Sequence, residues 1–158
     1  MMINGSAVAT ERPPGLSTAG VSWVAAHGGA GASTLAAALG GVDVGARWPS
    51  ESRADPARVL LVARTHSGGL RATARALAAM REGRHPPGME LLGLVLVADA
   101  PGRLPWPLFR RTRVLRSVAP VWRVPWIEQW RLGAELRKAP KVLLSLADLV
   151  DDLHRGAY

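Results

Sequence analysis

The stretch HGGAGAST, His27 to Thr34, spaces glycines and hydroxyls as a phosphate-binding loop does. Such a loop holds phosphate oxygens with backbone N–H groups and the positive end of the helix that follows, and glycines let the backbone come close. A lysine then places a charge on the β/γ-phosphates, and a Ser or Thr hydroxyl holds Mg²⁺. Gly28, Gly29 and Gly31 suit the first task, and Ser33, followed by Thr34, suits the last. Ala32 stands where the lysine belongs. The candidate binding set is therefore Gly28, Gly29, Gly31, Ala32, Ser33 and Thr34, with no catalytic residue assigned. A helix N-terminus attracts anions even without lysine. Weak anion binding and a plain strand-to-helix turn thus both account for the glycines.

Other reactive types are scattered. His27 and His66 both fall at expected strand ends and can approach each other, but two histidines without placed carboxylates make a poor metal site. Ser33 with His27 lacks an oriented acid for nucleophilic catalysis. The segments PWPLFRR and VWRVPWIEQWRLG hold four of the six tryptophans. Trp126, Trp130 and Arg131, with Arg103 upstream, are read either as packing or as a protein-contact patch, since Trp and Arg dominate interface hot spots. Base stacking on single strands is the third option.

These residues need elements to position them. Val21–Ala26, Ala57–Arg64, Met89–Asp99 and Pro120–Trp126 read as apolar strands. Helices are expected over 33–41, ended by Gly40-Gly41, over 67–83, after Pro107, and over 140–154. In the second helix Leu70, Ala74, Leu77 and Met80 form the apolar face, with Arg71, Arg75 and Arg81 pointing away. In the last, Val142, Leu146, Leu149 and Leu153 do so. The segment 42–57 reads as loop, anchored by Trp48-Pro49, and Ile127–Gly133 as a turn or a single helical turn. Apolar strands alternating with helices imply an α/β fold: a small three-layer sandwich of about four mainly parallel strands with helices on both faces. The ligand site of such a sheet lies beyond the carboxyl ends of its strands. The loops that collect there are His27–Ser33, Arg64–Gly69, Asp99–Arg103 and Trp126–Arg131.

Composition narrows the rest. The length suits one domain, taken as 20–158, after a loose tail over 1–19 rich in small and polar residues. With no cysteine, disulfides and thiolate metal sites are excluded. No signal peptide or apolar span is visible, so a cytoplasmic protein is expected. The net charge of +8 comes almost wholly from arginine, the only lysines being Lys138 and Lys141. A high-G+C genome explains that bias, and an acidic partner such as nucleic acid is the functional explanation. From Arg103 to Lys138 nine basic residues face only Glu128 and Glu135.

The loop and its surroundings resemble the MinD/ParA-like branch of P-loop NTPases, whose loop reads K-G-G-x-G-K-[ST]. Gly28, Gly29, Gly31 and Ser33 match that pattern. Ala26 replaces its first glycine, His27 the signature lysine and Ala32 the principal lysine. RVLLVARTHSGGLRATARAL, GLVLVADAP and VWRVPWIEQWRLG are similar to later segments of that branch, so most of residues 20–153 is covered. The resemblance implies ATP with Mg²⁺ as cofactor. It also implies two switch strands between the loop helix and Arg58, where this chain has only 41–56, with Asp43 and Asp55 as the available acids. A second resemblance, to an uncharacterised family of high-G+C bacteria encoded near conjugation or secretion machinery, assigns no activity.

Phosphoryl transfer rests on positioning and charge neutralisation. Losing one charge-assisted contact costs about 1.5–3 kcal/mol, one to two decades in affinity. The expected function is therefore a non-catalytic, P-loop-like binding or regulatory subunit of a bacterial assembly. The alternatives are a weak or partner-completed ATP-binding protein or ATPase of MinD/ParA type, and a nonspecific DNA-binding accessory using the arginine-rich region. A protein partner is expected, and a homodimer stays open. The MinD-like basic terminal helix that binds membranes has no counterpart here, because Ser145, Asp148, Asp151 and Asp152 make an acidic face.

Overall fold

A computed structural model describes residues 15–156. Strand β1 (Ser22–Ala25) runs through the glycine loop into α1 (Ala32–Leu39), followed by β2 (Val42–Gly45), a short 3₁₀ turn (Glu51–Arg53) and β3 (Arg58–Arg64). Then come α2 (Ser67–Arg81), β4 (Glu90–Val97), α3 (Trp106–Arg116), β5 (Val121–Val124), α4 (Glu128–Arg131) and α5 (Lys141–His154). The five strands form one sheet in the order β2-β1-β3-β4-β5. All neighbours are parallel.

Alternation along the strands divides the core into two. Leu60 and Val62 of β3, with Trp23, Val95 and Val97, pack under α1 and α5. Val59, Leu61 and Ala63, with Leu94 and Leu96, pack under α2 and α3. This is a three-layer α/β sandwich, as expected from the continuous apolar runs.

The strand count is five, not about four. Val42–Gly45, expected as loop, pairs with β1, Ser22 opposite Val42 and Trp23 opposite Asp43. Only Val44 of this strand is buried, so a four-residue edge strand leaves no apolar run to read. Gly41 makes the turn into it at φ +95°, where a Cβ would lie 2.7 Å from both Trp23 Nε1 and Val21 Cγ1. The same Trp23 indole donates to Gly40 O at 2.8 Å and so holds the end of α1.

Two helical faces are rotated from expectation. On α2 the buried residues are Gly69, Leu70, Thr73 and Leu77, while Ala74 is exposed. Thr73 can be buried because its hydroxyl donates to Gly69 O one turn back, at 2.9 Å. On α5 the buried set is Leu143, Leu146, Val150 and Leu153, with Val142 and Leu149 half-buried beside it. Both stripes share Leu146 and Leu153, and packing against α1 as well as the sheet decides which neighbours lie at the centre of the band. Helix α3 begins at Trp106, ahead of Pro107, which occupies the first turn where its missing N–H is no loss.

Of the tail expected over 1–19, residues 1–14 lie outside the described residues. Ser17 is held to the domain, donating to Asp55 O at 2.8 Å and accepting from Ala57 N–H at 2.9 Å. The Trp48-Pro49 anchor is present: the Trp48 indole donates to Arg84 O at 3.1 Å and Pro49 is buried. Among the described residues no helix is long and apolar enough to cross a membrane.

Candidate functional site

The glycine loop leaves the end of β1 and reverses direction through Gly29 at φ +77° and Gly31 at φ +104°. The methyls of Ala30 and Ala32 turn into the core beneath it, 1% and 4% exposed. Ala32 is thus a packing residue as well as the first residue of α1. Among the described residues, the backbone N–H groups from Gly28 to Thr34 meet no acceptor. Gly28, Gly29, Ser33 and Thr34 are exposed.

Arg64, the last residue of β3, lies across this loop. Its Nε donates to Gly29 O at 3.2 Å and its Nη1 to Ala98 O at 3.2 Å. One guanidinium therefore joins the loop after β1 to the segment after β4. Two of its five N–H groups are used, and the others remain for a ligand. Among the described residues no carboxylate pairs with it. A Cβ at Gly31 would meet Arg64 Nη2 only in ordinary contact, at 3.7 Å, so it is the backbone φ of +104° that asks for glycine there.

The histidines meet, with ring centroids 5.0 Å apart. His27 Nε2 accepts the Arg64 backbone N–H at 3.0 Å. Its Nδ1, 2.8 Å from Gly28 O, must then carry the proton and donate. His66 Nδ1 accepts the Gly69 N–H at 2.8 Å and caps α2. Both imidazoles serve as acceptors for backbone turns. Gly69 completes the packing: a Cβ there would overlap Arg64 O and come 3.0 Å from His27 Nε2.

A cleft of about 370 Å³ opens beyond the carboxyl ends of β3, β4 and β5. Gly31, Thr34 and Arg64 form one wall. Asp99, Trp126, Trp130 and Arg131 form the other. Residues from all four expected loops or their first turns thus converge here. Trp126 is oriented by its indole, which donates to Glu128 Oε2 at 2.7 Å. Trp130 is half-buried against the core under α1 and α5.

Some expected members lie elsewhere. Ser33 does not line the cleft but an adjoining hollow along α1, which shares Thr34 and Trp130 with it and continues to Gly133. Arg103 lines another, with His66, Asp99 and Arg123. Neither Asp43 nor Asp55 lines the cleft. Asp43 accepts Gly45 N–H at 2.9 Å. Asp55 sits before β3, at the opposite end of the sheet, and accepts Ser50 N–H at 2.8 Å and Arg47 Nη1 at 2.9 Å. Burial pushes its carboxyl up, but the Ser50 N–H and the Arg47 guanidinium outweigh burial and hold it below the usual carboxylate value.

Fold and cleft together define a three-layer α/β domain whose sheet, at its carboxyl edge, carries two arginines and two tryptophans around a glycine turn. A model of the DUF6668 family, a family of unknown function, matches residues 19–145. The chain belongs to that family. No curated protein and no solved structure matches it.

Proposed function

We propose that this protein is a non-catalytic, P-loop-like binding or regulatory subunit, acting in the cytoplasm within a larger bacterial assembly, and that its cleft holds a phosphate-bearing ligand. The observation that carries this reading is Arg64 lying across the glycine loop. It supplies a cation at the loop from β3, where the helix offers only the buried Ala32 methyl. A guanidinium that presents several donors recognises phosphate as well as a lysine does, with fixed geometry. Arg131 adds a second positive charge, and Trp126 and Trp130 offer flat apolar walls for the rest of the ligand.

The catalytic complement is what the reading leaves out. Ser33 stands outside the cleft and no carboxylate accompanies it. Turnover of a triphosphate needs a metal, a positioned water and charge on the transferring group. The second reading, a weak or partner-completed Mg–ATP site of MinD/ParA type, draws on Asp99 and Thr34 lining the same cleft.

Calorimetry with ATP, GTP, ADP and pyrophosphate, each with and without Mg²⁺, separates the two. Binding that does not need Mg²⁺, without phosphate release, supports the first. Micromolar binding with turnover by the pure protein overturns it.

A further inference from the structure

Helices α2 and α3 pack side by side on the sheet face away from α1 and α5, and a groove of about 310 Å³ runs between them. Leu70, Ala74, Val114 and Leu115 make it apolar. Val114 is 64% exposed. Arg71 and Arg111 flank it.

The two helices carry seven arginines and no Asp or Glu. Among the described residues none of the seven is ion-paired. Arg71 and Arg111, one from each helix, both turn to Ser67 Oγ, at 3.5 and 3.0 Å. Two like charges thus converge on one neutral hydroxyl, an arrangement that an incoming carboxylate would relieve.

We infer that this groove is the docking site for an acidic amphipathic helix of a protein partner, its apolar side chains on Val114 and Ala74 above the buried Leu70 and Leu115, and its carboxylates on Arg71 and Arg111. A groove between two helices accepts a third through anchors at i, i+3 or i+4, and i+7. The arginine rims select the charge of the flanks. DNA fits less well, because phosphates match the arginines but leave the apolar floor uncovered. A second copy of this chain fits less well too. Its acidic helix, α5, exposes Asp148 and Asp151 but only Leu144 as a large apolar side chain. The groove is separate from the Arg64 cleft and does not depend on the ligand reading.

The probe is a labelled acidic amphipathic peptide, with leucines at i, i+3 and i+7 and glutamates on both flanks, titrated by fluorescence anisotropy. Val114→Asp and the pair Arg71→Glu/Arg111→Glu are expected to weaken binding by about tenfold or more. The charge-reversed pair should regain affinity for a peptide whose glutamates are lysines, while Arg64→Ala should bind the original peptide unchanged. Val114 is exposed, so unchanged circular dichroism checks that its variant folds. Equal peptide binding by wild type and Val114→Asp, or no binding, overturns the inference. So does tighter binding of duplex DNA that Val114→Asp leaves untouched, or self-association abolished by Asp148→Lys/Asp151→Lys.

Discussion

The imidazole of His27 accepts the backbone N–H of Arg64 at 3.0 Å, and the side chain of Arg64 returns across the same loop to Gly29 O at 3.2 Å. Loop and cation are therefore held by one reciprocal contact. Arg64→Ala should lower the affinity for pyrophosphate by one to two decades, as loss of a charge-assisted hydrogen bond of about 1.5–3 kcal/mol requires. Arg64→Lys should fall between, keeping charge but not the fork that reaches both Gly29 O and Ala98 O. Calorimetry of the three proteins checks the order, and equal affinities would remove Arg64 from the site.

His27→Phe should destabilise the fold by about 1–3 kcal/mol, because it leaves the Arg64 N–H without its acceptor. His27→Gln, whose amide oxygen can take that role, should recover part of the loss. Urea denaturation at neutral pH measures both. No difference between the two variants would mean that ring packing, not the acceptor, is what matters.

Rebuilding the lysine at the loop should fail. Ala32 is 4% exposed and packs with Leu35 and Val97 in the core. Ala32→Lys is expected to cost about 1–3 kcal/mol through overpacking, and phosphate-release assays should show no ATP turnover. A variant as stable as wild type that hydrolyses ATP would show that the loop lacks only its lysine.

Asp55 ties Arg47 and Ser50 to the segment before β3, with a side chain only 7% exposed. Its carboxyl is held low in the folded protein, so the unfolded chain binds the proton more readily. The stabilisation is then fully present above the ordinary carboxylate value of about 3.9 and is lost as pH falls through the lower folded value. Asp55→Asn should flatten the acid limb of the stability curve and cost about 1–3 kcal/mol at neutral pH. Denaturation series on the acid side, compared with wild type, test this.

Gly69→Ala sets local preference against packing. Within α2, alanine is favoured over glycine by about 1 kcal/mol. In the folded protein the added methyl overlaps Arg64 O and crowds His27 Nε2. The expected result is net destabilisation of about 1–3 kcal/mol, read as a lower Tm.

The sequence by itself determined what is local or continuous. The apolar runs of β1, β3, β4 and β5 read as buried strands because both faces of a parallel sheet are covered. The glycine loop showed its own turn, since Gly29 and Gly31 occupy φ values that side chains avoid. The meeting of the four loops at the carboxyl ends of the strands followed from strand direction alone.

Tertiary structure decided what depends on distant partners. Edge strand β2 exists through its pairing with β1, because one buried valine is too little signal. The centre of the α5 stripe was settled by what α5 packs against. Arg64 reads in the sequence as one of many arginines ending a segment. Only the register of β3 between β1 and β4 brings its guanidinium within reach of Gly29 O and Ala98 O. Likewise, Arg71 and Arg111 lie 40 residues apart and become one charged rim only where α2 meets α3.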